Sequence, residues 1–112
     1  MSPSQFPDFV RRLPQADLPF EGLRGWLLQS NSGQVLFNES DIELSVPVHS
    51  HGSQWGTVIN GQIELTIDGQ KRLYRRGDSY FIPEGTSHSA IIYPGFRAVD
   101  YFADKDRYQP KK

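Results

Sequence analysis

Short apolar runs, separated by turn residues, recur at nearly even intervals along most of this chain. Strands this short and this regularly spaced are typical of an all-β sandwich or barrel. The chain therefore predicts an all-β fold, with helix confined to its N-terminal segment. The runs are GWLLQS, QVLFNES, IELSVPVHSH, WGTVI, IELTI, KRLYR, SYFIP, HSAIIY and RAVDYF.

Two dipeptides predict tight hairpins within this series. Asn60-Gly61 lies between WGTVI and IELTI, and Asp68-Gly69 lies between IELTI and KRLYR. Asn-Gly and Asp-Gly are favoured in two-residue hairpins because both tolerate positive φ angles. We expect each dipeptide to join two neighbouring antiparallel strands.

The N-terminal segment is punctuated by prolines, which exclude a long helix there. These prolines are Pro3, Pro7, Pro14 and Pro19. One short amphipathic turn fits between them, in PDFVRRLP, with apolar side chains at Phe9, Val10 and Leu13.

Composition narrows the classes of function. The chain has 112 residues, of which 37% are hydrophobic and 22% charged, as expected for one globular domain. Its net charge of −1 offers no basic excess for nucleic acid or an anionic membrane. Cysteine is absent, which excludes disulfides, zinc–thiolate sites and thiol nucleophiles. No apolar run has the length of a signal peptide or membrane span, so we expect a cytoplasmic protein that binds neither nucleic acid nor membrane.

The histidines are the main chemical signal. The sequence contains three, His49, His51 and His88. His49 and His51 project from the same side of a strand, about 6.5–7 Å apart, and can converge on one metal ion. Gln54 follows a Gly-Ser turn and can bring its amide oxygen to the same point. An HxH pair alone is a weak pattern, and a lone histidine is more often a surface or hydrogen-bonded core residue.

Taken together, the two histidine stretches resemble the two motifs of the cupin superfamily. The first motif, a histidine pair followed by a glutamate and a closing glycine, is matched by PVHSHGSQWGTVINGQ, which closes at Gly61. The second is matched by GDSYFIPEGTSHSAII, with Gly77, Pro83, Gly85 and His88 in register. The resemblance implies a small single-domain cupin, whose fold is one conserved β-barrel, also called a jelly roll or double-stranded β-helix. We assign residues 21–106 to this barrel, 1–20 to a segment packing on it or on a partner, and 107–112 to a C-terminal tail.

The chain departs from the usual motifs at several positions. Gln54 stands where the family has glutamate, after a loop shortened to Gly52 and Ser53, and Ile92 replaces the usual asparagine. The resemblance implies a divalent metal ion bound by His49, His51 and His88, with Gln54 as a fourth ligand or as a hydrogen-bond partner of substrate or metal-bound water. These donors are neutral, which favours Zn²⁺, Fe²⁺, Ni²⁺ or Cu²⁺ over Mn²⁺.

The resemblance leaves the activity open between two classes. One is a metalloenzyme of dioxygenase, isomerase or lyase type that acts on a small organic metabolite. The other is a non-catalytic module that binds or senses a small molecule. No general base is evident, because Glu84, the carboxylate nearest in sequence to a ligand, lies in a turn expected to be solvated. Trp55 falls on the strand face opposite Gln54, where it either packs in the core or anchors a homodimer.

Overall fold

In the computed structural model, which describes residues 6–112, the chain forms two antiparallel β-sheets and one short helix. Each predicted apolar run is a strand, so the all-β prediction is confirmed, and the architecture is a single jelly roll. The first five residues, including Pro3, lie outside the described part. The elements are α1 (Asp8–Arg11), β1 (Leu23–Gln29), β2 (Gln34–Ser40), β3 (Leu44–His49), β4 (Gln54–Asn60), β5 (Gln62–Ile67), β6 (Gln70–Arg75), β7 (Ser79–Ile82), β8 (His88–Ile92) and β9 (Phe96–Phe102).

The two sheets face each other across the main apolar core. One sheet has the strand order β1-β2-β9-β4-β7 and the other β3-β8-β5-β6. Side chains alternate between the two faces of a strand, and β4 shows this clearly: Gly56 and Val58 point inward, whereas Trp55 and Ile59 are exposed. The buried core comprises Val58, Ile63, Leu65, Tyr74, Tyr80, Ile82, Ile92, Phe96 and Ala98.

The hairpin predicted at Asp68-Gly69 is confirmed. Strands β5 and β6 pair in register, with Ile67 opposite Gln70. Asp68 has a φ of 49° and Gly69 a φ of 78°. Both values lie in the left-handed region that this type of turn requires.

The hairpin predicted at Asn60-Gly61 is wrong, because β4 and β5 belong to different sheets. The dipeptide is instead a corner at which the chain passes from one sheet to the other. Gly61 has a φ of 70°, and a Cβ there would lie 2.8 Å from backbone atoms of Gly95 and Phe96. The Asn60 side-chain amide donates to the Gly95 carbonyl at 2.8 Å. The glycine is thus required by close backbone approach as well as by its positive φ.

The N-terminal segment covers part of the outer face of the five-stranded sheet. The predicted short helix is present as α1, and Val10 in it is buried. Phe6, Val10 and Trp26 form a small apolar cluster, in which the Phe6 and Trp26 rings meet edge to face. Within residues 6–112, no helix is long and apolar enough to cross a membrane.

The rest of that outer face carries a row of apolar side chains that crosses every strand of the sheet. Its members are register partners on neighbouring strands: Leu28, Val35, Tyr101, Trp55 and Phe81. Trp55 is 46% exposed and Phe81 57%. Trp55 is therefore not part of the barrel core.

Candidate metal centre

The three histidines meet at one end of the barrel. His49 ends β3, His51 lies in the following loop, and His88 begins β8 directly opposite His49 in the strand register. The ring centroid of His88 lies 4.1 Å from that of His49 and 4.8 Å from that of His51. One nitrogen of each ring can be chosen so that all three lie within 4.8 Å of one another.

Each of these rings is oriented by a backbone carbonyl at its Nδ1 atom. Because a carbonyl can only accept, each Nδ1 carries a proton, and in a neutral ring the Nε2 atom then presents a lone pair. Anchoring the second ring nitrogen in this way is typical of metal-binding histidines. The acceptors are Pro47 for His49 at 2.8 Å, Gly52 for His51 at 2.8 Å and Thr86 for His88 at 2.9 Å.

The Nε2 atom of His88 is buried and has no hydrogen-bond partner among the described residues. A buried polar atom left unpaired costs about 1–3 kcal/mol, so it requires an explanation. Burial lowers the pKa of His51 to about 4 and also lowers the pKa of His88, so both rings are neutral near neutral pH. Shared ligation at metal–nitrogen distances of about 2.0–2.1 Å requires donor nitrogens that lie close together, as these three do. The cluster therefore fits a divalent metal ion.

Gln54, at the start of β4, is tied to a carboxylate that the sequence analysis missed. Its side-chain amide nitrogen donates to Asp100 Oδ1 at 3.0 Å. The Tyr80 hydroxyl donates to the same oxygen at 2.6 Å, and the Asn38 amide donates to Oδ2 at 2.9 Å. Burial raises the pKa of Asp100 against the opposing effect of these hydrogen bonds, and burial also raises the pKa of Tyr80. Tyr80 therefore keeps its proton and remains a donor.

Gly56 makes room for this buried network. It lies opposite both Asp100 and Tyr80 in the sheet register. A Cβ at Gly56 would overlap the Asp100 carboxylate and lie 2.5 Å from the Tyr80 ring. The one sequence signal for Asp100 is an acidic residue in the otherwise apolar second half of the run RAVDYF, at an inward-facing position.

The histidines and Gln54 line an inner cavity of about 80 Å³, whose walls include Tyr80 and Ile82. A more open cavity of about 300 Å³ shares His49 and His51 with it. The ring of Phe102 also lines the inner cavity, whereas four other aromatic residues line neither cavity: Trp26, Phe37, Tyr93 and Tyr101. Glu84 is exposed, as expected.

Two further lining residues, Arg107 and Tyr108, come from the stretch assigned to the C-terminal tail. The Tyr108 backbone is held by the buried Gln34 side chain, which donates to the Tyr108 carbonyl at 2.8 Å and accepts from its N–H at 3.0 Å. No sequence motif marks these two residues, because the contacts that bring them to the cavity join segments distant in the chain.

Comparison with known proteins agrees with this architecture. The cupin-domain family model matches residues 35–95, which include all three histidines and Gln54. No curated protein sequence matches the chain significantly.

Several solved structures share the fold. An RmlC-like cupin from Shewanella frigidimarina is 24% identical with a TM-score of 0.76, covering 94% of this chain and 95% of its own. KdgF from Halomonas sp. is 22% identical with a TM-score of 0.72, covering 81% of this chain and 87% of its own. Salicylate 1,2-dioxygenase from Pseudoaminobacter salicylatoxidans, solved with gentisate, is 13% identical with a TM-score of 0.68, covering 77% of this chain and 26% of its own. At these identities the likeness concerns the fold alone.

Proposed function

The chain belongs to the cupin family, and we propose that it binds a divalent metal ion through His49, His51 and His88 at one end of its barrel. The observation that carries this proposal is the buried, unpartnered Nε2 atom of His88, which lies among rings whose Nδ1 atoms are already hydrogen-bonded. A cation supplies the partner that the rest of the described chain does not provide.

We propose the Gln54 side-chain oxygen as the fourth ligand. The amide nitrogen is committed to Asp100, which as a carboxylate can only accept. The oxygen is the other branch of the same planar group, and Gln54 lines the cavity together with the histidines. This arrangement also accounts for the amide where the family usually has glutamate: a second carboxylate would face Asp100, whereas an amide donates to it.

The neutral donors favour a borderline metal such as Zn²⁺, Fe²⁺, Ni²⁺ or Cu²⁺ over Mn²⁺. A divalent ion held here supplies a Lewis acid that polarises an oxygen atom of a bound molecule. The chain's own residues exclude bulk water around that molecule, since the inner cavity is walled largely by apolar side chains.

We propose a small organic metabolite as the substrate, with chemistry of the dioxygenase, isomerase or lyase type. The solved dioxygenase that shares the fold supports this class, because its structure is of adducts with gentisate, a small organic molecule. A non-catalytic binding or sensing module is the second candidate. It is favoured by one observation: among the described residues that line the two cavities there is no Asp, Glu or Lys to act as general acid or base. Turnover of a metabolite panel by the metal-loaded protein, followed by mass spectrometry, distinguishes the two.

Metal content tests the central part of the proposal. The untagged protein is purified and its metals are measured by mass spectrometry, before and after addition of Fe²⁺, Ni²⁺, Zn²⁺ or Mn²⁺. We expect close to one equivalent in the wild type and most of it lost in His88→Ala. Glu84→Gln changes an exposed residue of the adjoining turn and should leave the content unchanged. A wild type that takes up no metal contradicts the proposal.

The role of Gln54 is tested in a double variant that removes the carboxylate at position 100 and introduces one at position 54. In Gln54→Glu combined with Asp100→Asn, an acidic ligand replaces the amide, and the residue behind it becomes neutral. Competition between Mn²⁺ and Zn²⁺ should shift toward Mn²⁺ relative to Asp100→Asn alone, because a carboxylate suits the harder cation. An unchanged preference would show that Gln54 is not a ligand.

We also propose that the chain forms a homodimer through the apolar row on the five-stranded sheet. The row presents aromatic side chains on a sheet face, and such residues are enriched in protein interfaces. A sheet face can pack against its own copy about a two-fold axis, as in most homodimers. Trp55→Ser should lower the mass measured by light scattering to that of a monomer. Phe9→Ser, which changes an exposed aromatic residue of α1, should leave it unchanged. A monomeric wild type contradicts the dimer.

A further inference from the structure

Arg107 is a charged side chain at the cavity that forms no ion pair with any other described residue. Its Nε atom is buried and has no hydrogen-bond partner among the described residues. The guanidinium carbon lies 4.3 Å from the centre of the Tyr108 ring and 5.8 Å from that of Phe102. These cation–π contacts leave the N–H groups of the guanidinium free to donate hydrogen bonds.

The segment that carries Arg107 is fastened to the loop between the first two histidines and Gln54. The Ala103 N–H donates to the Ser53 carbonyl at 2.9 Å, and the Gly52 N–H donates to the Asp104 carboxylate at 2.7 Å. The backbone N–H of Arg107 donates to the backbone carbonyl of Asp104 at 3.3 Å. Arg107 is thereby held beside His51, and it lines both cavities.

The charge around the cavities is unbalanced. Among the described residues that line them, Arg107 is the one Lys or Arg side chain, and none is an Asp or Glu. The three histidines are neutral ligands when they bind a metal ion. Asp100 lies behind Gln54 and Tyr80, where its two oxygens already accept three hydrogen bonds. A metal ion would add positive charge, so the cavity suits an anion.

We propose that Arg107 binds the carboxylate of a small organic acid whose remaining atoms lie in the cavity toward the histidines. This inference rests on the proposed function and names the chemical class of its ligand. The guanidinium presents two parallel N–H groups that match the two oxygens of a carboxylate. A phosphate monoester presents three terminal oxygens, whereas Arg107 is the one guanidinium among the described residues that line the cavities. Cavities of about 80 and 300 Å³ suit a small acid.

The test measures ligand binding and metal binding separately. The protein is loaded with Co²⁺, whose visible absorption reports the metal and its surroundings without any turnover. Pyruvate, succinate and benzoate are titrated as carboxylate probes, pyruvamide serves as the uncharged counterpart of pyruvate, and inorganic phosphate tests the other anion class. The variants are Arg107→Gln, which removes the charge, and Arg107→Lys, which keeps the charge and loses the paired N–H groups.

Arg72→Gln is the matched control. Arg72 also lies over a tyrosine ring, at 5.1 Å from that of Tyr74, but it lines neither cavity. We expect at least one carboxylate to bind the wild type about tenfold or more tightly than Arg107→Gln, the scale of losing charged hydrogen bonds. The carboxylate affinity of Arg107→Lys should be intermediate, and that of Arg72→Gln should match the wild type. Pyruvamide should bind the wild type and the variants with equal affinity, and all proteins should contain the same amount of Co²⁺.

The outcomes separate this inference from the metal proposal. The Arg107 inference is overturned if the wild type and Arg107→Gln bind carboxylates with equal affinity. It is also overturned if the wild type binds phosphate but none of the carboxylates, or binds none of the probes. If Arg107→Gln does not fold, Arg107→Lys decides, and unchanged affinity there overturns the paired-hydrogen-bond assignment. If the wild type takes up no Co²⁺, the metal proposal fails. The Arg107 inference is then judged by calorimetric titration of the same probes into the metal-free protein.

Discussion

Replacing Gln54 with glutamate tests the buried network behind the histidines. In the wild type, the amide nitrogen of Gln54 donates to Asp100 Oδ1 at 3.0 Å. Gln54→Glu is nearly isosteric, but it replaces this donor with an oxygen. Asp100 would then face a second carboxylate within a buried site, while Tyr80 and Asn38 remain its donors.

The folded variant can either keep both carboxylates charged or protonate one of them, and the response that costs less free energy determines the loss of stability. Two full charges about 3 Å apart repel by about 5.5 kcal/mol at an effective dielectric constant of about 20. Protonating a carboxyl group with an ordinary pKa of about 4.3 costs about 3.7 kcal/mol at about pH 7. Protonation is cheaper, and the hydroxyl of the protonated, introduced glutamate can donate to Asp100 as the amide did. We therefore expect the metal-free variant to lose about 3–4 kcal/mol of unfolding free energy at about pH 7.

The loss of unfolding free energy in Gln54→Glu should grow as pH rises. The folded variant holds one proton more than the unfolded chain above the ordinary glutamate pKa, so its stability falls as pH rises. Between about pH 7 and pH 5, the difference from wild type should shrink by about 2.7 kcal/mol. Urea denaturation of both metal-free proteins at a series of pH values measures this.

Two controls accompany the measurement. Gln70→Glu makes the same change at an exposed position of β6 and should leave the difference near zero at every pH. Asp100→Asn in the Gln54→Glu background restores one donor opposite one carboxylate and should recover most of the lost stability near neutral pH. If the unfolding free energies of the wild type and Gln54→Glu run parallel across the pH range, the two carboxyl groups do not share a proton, contrary to this prediction.

Further predictions concern the glycines and His51. Gly56→Ala should lower the unfolding free energy by about 1–3 kcal/mol, because the added methyl group overlaps the Asp100–Tyr80 network; an unchanged urea midpoint would contradict this. Gly61→Ala should lower thermal stability more than Gly69→Ala does. Both glycines have positive φ, but only at Gly61 does the added Cβ meet backbone atoms, at 2.8 Å. Equal losses of thermal stability would argue against the close backbone contact at this corner. The metal-free protein should lose stability as pH falls from about 6.5 to 4, because His51 takes up a proton in the unfolded chain but not in the folded protein. In His51→Gln the unfolding free energy should fall less over this range. An equally steep fall would show that His51 is not the cause.

The sequence predicted the strands because each is a short apolar run with turn residues at both ends, and that information is local. It did not determine which strands pair. Asn60-Gly61 and Asp68-Gly69 carry the same local preference for positive φ, yet only the second closes a hairpin. The first lies where the chain changes sheets, and that difference depends on packing against Gly95 and Phe96, which are distant in sequence.

The same distinction applies to the site. The three histidines were identified because both of their stretches follow a recognisable spacing, and the structure brings them together. Asp100 and Arg107 carry no such spacing. Asp100 becomes informative only when β9 is placed beside β4, so that its carboxylate meets Gln54. Arg107 lies in a segment that looks like a solvated tail until the contact between Asp104 and Gly52 places it at the cavity.

X-ray absorption at the edge of the bound metal identifies the donor atoms of the metal site themselves. On the protein loaded with Zn²⁺, we expect three imidazole nitrogens at about 2.0–2.1 Å, recognisable by ring scattering, with at least one further oxygen donor. His88→Ala should remove one imidazole from that shell or abolish binding. A shell built of oxygen atoms alone, or one that is unaltered in His88→Ala, would contradict the assignment of His49, His51 and His88 as the metal ligands.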